Sequence, residues 1–243
     1  MTELTYSGGI AAARTMIVLE ANPSALQRRL PSGWELAPYS GDDLRGRTLR
    51  GANLLVPFHE VYAVSSHDDQ VVGLPQLTYV PFVSQACAQA SAELAHMHWL
   101  TYTEDPAGVP GKYEDGALAQ ITASQTFNKE RRGETHVRET VSAVAERGEI
   151  HLSLAYEQGG DLVVWLSPEA PNLPLRAARN PSIVRWYQED QVMNVVRSDP
   201  LNVNRVTEIS LDVKGELEDV FDGSERIVAV VIQRPYMRRV YSP

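Results

Sequence analysis

Strict alternation of apolar and polar side chains is the strongest pattern in this chain. Ile150, Leu152, Leu154 and Tyr156 alternate with His151, Ser153, Ala155 and Glu157, the period of two expected for a strand with one buried face. Thr135 to Glu146 alternates in the same way through Val137, Val141, Ala143 and Ala145. Arg147 and Gly148 supply a tight connection between the two segments, which predicts a hairpin. A further strand over Ala117–Phe127 joins it through the charged stretch from Lys129 to Gly133, so residues 117–157 predict a three-stranded antiparallel meander. Shorter runs predict strands at Thr15–Leu19, Ala52–Val64, Leu162–Leu166, Val192–Arg197, Val203–Val213 and Arg226–Gln233.

Helical signals are few. Asn22 followed by Pro23 offers an N-cap with proline at the first helical position, and Pro31 ends a short helix through Leu30. Ser84 to Leu100, rich in Ala, Gln, Glu and Leu, predicts the one long helix. Turn-rich stretches fall at 41–51, 104–116 and 167–181, none long or biased enough to separate domains. The expectation is a single β-rich α+β domain over residues 1–243, built as an antiparallel barrel or sandwich with few helices.

Composition then narrows the function classes. The net charge of −9 argues against a nucleic-acid binder or an electrostatic membrane clamp, both of which need a basic surface. Arg14 interrupts the only early apolar stretch, so no signal peptide is read. No run approaches the ~18 apolar residues of a membrane span, and a cytoplasmic protein is the expectation. Cys87 is the single cysteine, which excludes an internal disulfide and a cysteine-based zinc site; it reads as a buried, inert thiol. Of the 22 Lys+Arg residues only Lys112, Lys129 and Lys214 are lysines. Chemistry that needs an amine therefore has three candidates.

Nucleotide-binding, nucleophile-elbow and zinc-protease motifs are absent. His96 and His98 would lie about 200° apart on the predicted helix, so no metal is assigned, although either could pair with His59 or Glu60. Phe58, Glu60 and Tyr62 share one strand face, where two aromatics would desolvate a carboxylate toward acid–base use. A solvent-facing edge glutamate explains the same pattern equally well. Lys129 and Lys214 read as solvated. Lys112 follows a Gly/Pro-rich loop that either presents an amine to a barrel mouth or simply faces water.

The order of these features resembles the acetoacetate decarboxylase superfamily. The likeness runs through Arg14 before a strand, Ser24 to Pro31 followed by Trp34, Phe58-His59-Glu60, Leu77 to Phe82, Ser91 to Leu94, the hairpin between Arg138 and Tyr156, Lys214-Gly215, and a tyrosine near the end. It spans roughly residues 14–241. The resemblance implies a cofactor-free lyase, homo-oligomeric, acting on a keto acid or related carbonyl compound by decarboxylation, aldol chemistry or dehydration. It implies a lysine Schiff base whose amine is kept neutral by an apolar pocket and a neighbouring cation. The matching positions are Arg14 as carboxylate anchor with Glu60 and Glu93 as catalytic carboxylates. Phe58, Tyr62 and His98 would line the substrate.

The family's Pro-Lys-Lys is degraded to Pro110-Gly111-Lys112, leaving Lys112 as the candidate nucleophile. An ungapped alignment from Glu93 places His98 and Trp99 at that slot, with no lysine. Three readings follow: a Schiff-base lyase through Lys112; an imine-free enzyme in which Glu60, with Glu93 or His98, moves protons on a larger apolar metabolite; and a non-catalytic small-molecule binder.

Overall fold

A computed structural model describes residues 3–40, 49–68, 77–129, 135–158, 163–166, 173–198 and 205–243. One helix, α1 (Pro23–Arg29), accompanies strands β1 (Thr5–Glu20), β2 (Trp34–Leu36), β3 (Leu54–Ser65), β4 (Leu77–Ala88), β5 (Leu94–Thr103), β6 (Gly116–Lys129) and β7 (Thr135–Ala145). β8 (Gly148–Gln158), β9 (Val163–Leu166), β10 (Leu175–Ala177), β11 (Val184–Ser198), β12 (Val206–Gly215) and β13 (Arg226–Ser242) complete the described elements. Strands β5, β10, β11, β13, β1, β3 and β4 are hydrogen-bonded in that cyclic order, and the β4–β5 pairing closes them into a barrel. Two of its contacts, β10–β5 and the β5–β6 junction leading out of it, are parallel.

β6, β7 and β8 form the antiparallel meander read from the alternation, and β12 adds a fourth strand along β8. This sheet leans on the outer face of the barrel. Between them lies the main core: Val141, Ile150, Leu152 and Leu154 from the meander pack with Ile17, Val56, Val80 and Phe82 from the barrel wall. α1 forms as read, with the Asn22 side chain accepting from the Ser24 and Ala25 amides at 3.0 and 3.1 Å.

The long helix over Ser84–Leu100 does not form. That stretch is the end of β4, a turn around Ala92 with φ of 57°, and the start of β5. Both strands are buried on two faces, by the barrel interior and by the core outside it. A strand buried on both sides shows no alternation, and its small residues (Ala86 and Ala95 have no exposure) then imitate a helical composition. Cys87, in the same stretch, is free and only half-buried.

Phe82 has no exposure and meets Trp99 at 5.3 Å and Tyr102 edge-on at 5.6 Å between ring centroids. Phe82→Ala is expected to cost about 3–5 kcal/mol of stability by denaturant titration. Leu118→Ala, at a position 68% exposed, is expected to stay within about 0.5 kcal/mol.

Candidate functional site

Closing the barrel turns one face of each strand inward, and the inward side chains near one end are polar. Arg14 of β1 reaches past β13 to Glu189 of β11, with Nη2 to Oε1 at 2.6 Å, and its Nε donates to Gln233. Tyr236 of β13 reaches past β1 to His59 of β3, the hydroxyl 2.7 Å from Nδ1. His59 in turn stacks on Tyr79 of β4 at 4.5 Å. These side chains share one face of the closed sheet.

Arg238 completes this group. Its guanidinium lies over Tyr187 at 4.2 Å and Tyr236 at 5.8 Å, and its nearest carboxylate is Glu189 at 3.9 Å. Its Nε is buried and has no hydrogen-bond partner among the described residues. Two guanidiniums therefore share one carboxylate. Burial pushes the Glu189 carboxyl up, but Arg14 and Arg238 outweigh it and hold the group below its ordinary value. Burial keeps the Tyr236, Tyr187 and Tyr79 phenols protonated. Burial, together with Arg238 and Arg14, drives His59 well below the ordinary histidine value, so it is neutral. Within this group the two guanidiniums face the one carboxylate of Glu189, and a second buried carboxylate, Asp115, lies on the adjoining wall.

On the adjoining wall, His98 of β5 is 3% exposed, and its Nδ1 lies 2.5 Å from Asp115 Oδ2. The ring stacks on Tyr113 at 4.4 Å, and the Tyr113 hydroxyl meets that of Tyr187 at 2.5 Å. Tyr113 and Asp115 are delivered by a loop with left-handed backbone at Gly111, Lys112 and Glu114. A β-carbon at Gly111, where φ is +95°, would fall 2.5 Å from the Tyr187 hydroxyl, so the chain passes here only as glycine. Clustered strained backbone of this kind costs about 1–3 kcal/mol per residue and concentrates at functional sites.

The residues singled out in the sequence separate onto different surfaces. Arg14 and His98 face the interior. Phe58, Glu60 and Tyr62 do share one face, but it is the opposite one: Phe58 belongs to the core beneath the meander. The Glu60 side chain is 43% exposed, 3.9 Å from Arg234 and 3.5 Å from the Tyr62 hydroxyl. Strand alternation that turns His59 inward must turn Glu60 outward. Glu93 sits at the β4–β5 turn, ion-paired with Arg176 at 2.7 Å. Lys112 is exposed, because the loop alternates and sends Tyr113 and Asp115 inward in its place. Lys129 is exposed too, and Lys214 is exposed and paired with Glu149 at 2.6 Å. The structure thus brings none of the three amines into the interior.

Arg238, Tyr236, Glu189, Tyr187, Asp115 and the inward role of His59 were not read from the sequence. The available signal was alternation of Tyr236, Arg238 and Val240, which continues β13 past Gln233 to Ser242.

Three solved structures share this architecture. The enduracididine biosynthesis enzyme MppR with HEPES buffer bound superposes with a TM-score of 0.54 at 10% identity, over 100% of this chain and 87% of that one. An acetoacetate decarboxylase-like enzyme from Sphingomonas wittichii RW1 gives 0.54 at 10% identity, over 97% and 91%. MppR complexed with pyruvate gives 0.52 at 11% identity, over 99% and 89%. No protein-family model and no curated protein matches the chain in sequence. The fold is therefore the acetoacetate decarboxylase-like one that the order of motifs implied.

His59 and His96 are both shifted below 6.5, His96 to about 4 through burial and Arg238. The unfolded chain then binds protons that the folded chain refuses, so stability falls as pH drops below 6.5. Melting temperature is expected to hold above pH 7 and to decline between pH 6.5 and 5, each histidine contributing at most about 1.4 kcal/mol per pH unit. His96→Gln should flatten part of that decline.

Proposed function

We propose that this chain is a cofactor-free enzyme of the lyase type, acting on a small carbonyl compound that carries a carboxylate, by proton transfer and without an imine. The observation that carries this reading is Arg238: a guanidinium whose buried Nε has no partner among the described residues and whose carboxylate, Glu189, is shared with Arg14. A substrate carboxylate would give Arg238 the close acceptor that Glu189, at 3.9 Å, does not. Arg14 and Arg238 are then the carboxylate anchor, a role the resemblance implied for Arg14 alone. That MppR has been observed in complex with pyruvate supports a keto acid as the substrate class.

The base is His98. Asp115 holds its Nδ1, which fixes the tautomer and leaves Nε2 to take a proton, the arrangement by which a carboxylate orients a catalytic imidazole. Nε2 removes a proton from the carbon beside the carbonyl, and the released pair moves into the carbonyl to form an enolate. A buried tyrosine hydroxyl, Tyr236 or Tyr187, donates to the enolate oxygen. The enolate then collapses as a leaving group departs from the next carbon, and the imidazolium returns its proton to that group. Positioned general-base catalysis of this kind contributes typically 10²–10⁴-fold.

The exposure of Lys112 and the placement of Glu60 on the outer face favour this reading over a Schiff base at Lys112 and over acid–base chemistry centred on Glu60.

Pyruvate in deuterium oxide tests it without knowledge of the natural substrate. Proton NMR is expected to show the chain accelerating exchange of the methyl protons. His98→Asn should lower that rate by about 10²–10⁴. Arg238→Gln should raise the pyruvate KM on the order of 30-fold or more, and Lys112→Ala should change neither. Borohydride reduction in the presence of pyruvate should leave all three lysine peptides unmodified. An adduct on Lys112, or exchange no faster than in buffer, overturns the proposal.

A further inference from the structure

A second cationic site lies outside the barrel. Where α1 ends, the chain from Arg29 through Pro31 meets Trp99 and Leu100 of β5, the β7–β8 turn at Arg147, Arg179 beyond β10 and Glu216 beyond β12. Together they enclose a cleft of about 230 Å³. Trp99 neighbours His98 in sequence, but the β4–β5 register shifts at this point and Trp99, like Leu100, packs into the core outside the barrel. The cleft therefore does not open onto the interior described above.

Its charge is opposite to that of the chain. Three guanidiniums from three separate segments line it with one carboxylate, in a protein whose net charge is −9. Glu216 is already engaged: its Oε1 accepts from the Tyr102 hydroxyl at 3.2 Å, and its Oε2 lies 3.5 Å from Arg147 Nε. Arg29 is fixed by donating from Nη2 to the Glu216 carbonyl at 2.7 Å and to Asp219 at 2.6 Å, with its guanidinium over the Trp99 ring at 5.6 Å. Its Nε is nevertheless buried without a partner among the described residues. Arg179 is exposed and has no ion pair among the described residues.

We infer that this cleft binds a small dianionic oxyanion of the phosphate-monoester class. Three forks converging from different segments match the several oxygens of a tetrahedral anion better than the two of a carboxylate. Asp219 is shared between Arg28 and Arg29, so with Arg147, Arg179 and Glu216 two net positive charges remain around the cleft, matching a dianion. The volume falls below the ~300 Å³ at which drug-sized ligand pockets begin, which suits a phosphate headgroup with little body attached. The apolar edge formed by Leu30, Pro31 and Leu100 leaves room for that short body.

The probes are inorganic phosphate and phenyl phosphate, with chloride at matched ionic strength as the control, read by thermal shift and by isothermal titration. Both probes are expected to raise the melting temperature saturably, and chloride is not. The double substitution Arg147→Ala with Arg179→Ala, at two exposed positions, should weaken phosphate binding at least tenfold, with circular dichroism confirming the fold. Arg238→Gln should leave it unchanged, because that residue belongs to the barrel interior. A response that chloride reproduces, that survives the double substitution, or that disappears with Arg238→Gln overturns the inference. None of these outcomes depends on the activity proposed for the interior.

Discussion

Inside the barrel, Arg14 and Arg238 share the carboxylate of Glu189, and Asp115 on the adjoining wall is taken up by His98. An ion moved out of water costs several kcal/mol even after relaxation. Arg14 recovers much of this through a close contact with Glu189 and a hydrogen bond to Gln233. Arg238 has an ion pair at 3.9 Å and the faces of Tyr187 and Tyr236. Cation–π contacts return roughly 0.5–2 kcal/mol, less than the desolvation. The neighbours are neutral chiefly through burial: His59 releases its proton, with Arg238 and Arg14 adding to the effect, and the Tyr236 phenol keeps its own although both guanidiniums act the other way.

Such a cluster is tolerable because stability is held elsewhere. The largest apolar core lies outside the barrel, between its wall and the β6–β7–β8–β12 sheet. Strands of the barrel therefore serve two environments, a dry packed face outward and a polar face inward. The loop that carries Tyr113 and Asp115 departs from ordinary backbone geometry at Gly111, Lys112 and Glu114, and it is held by the hydrogen bonds its side chains make to Tyr187 and His98. Strain and polar burial are both concentrated at the site, while regular alternation prevails in the meander.

Within a shared fold, the chemistry available depends on what each inward position holds. A Schiff-base mechanism needs a desolvated amine, and here the only lysine near the expected place has its side chain in water. The inward positions beside it hold an imidazole oriented by a carboxylate. The resemblance predicted the architecture and the inward arginine of β1. Lys112 stays exposed, because a one-residue shift in a loop decides which side chain enters a barrel.

The sequence by itself determined the meander, the short capped helix, the β-rich class and the order of motifs that identifies the fold. These depend on local alternation, on capping and on turn residues, all of which act between neighbours in the chain. It also determined that only three amines exist. Tertiary structure alone decided that Ser84–Leu100 is two strands, since burial on both faces erases the alternation by which a strand is recognised. It decided, too, which face of β3 is inward and so that His59, not Glu60, enters the site. Alternation shows that two faces differ; only closure of the barrel assigns one of them to the interior. Arg14, Glu189, Arg238 and Asp115 are brought together from positions as far as 224 residues apart (238 − 14) because strands distant in sequence face each other across that interior.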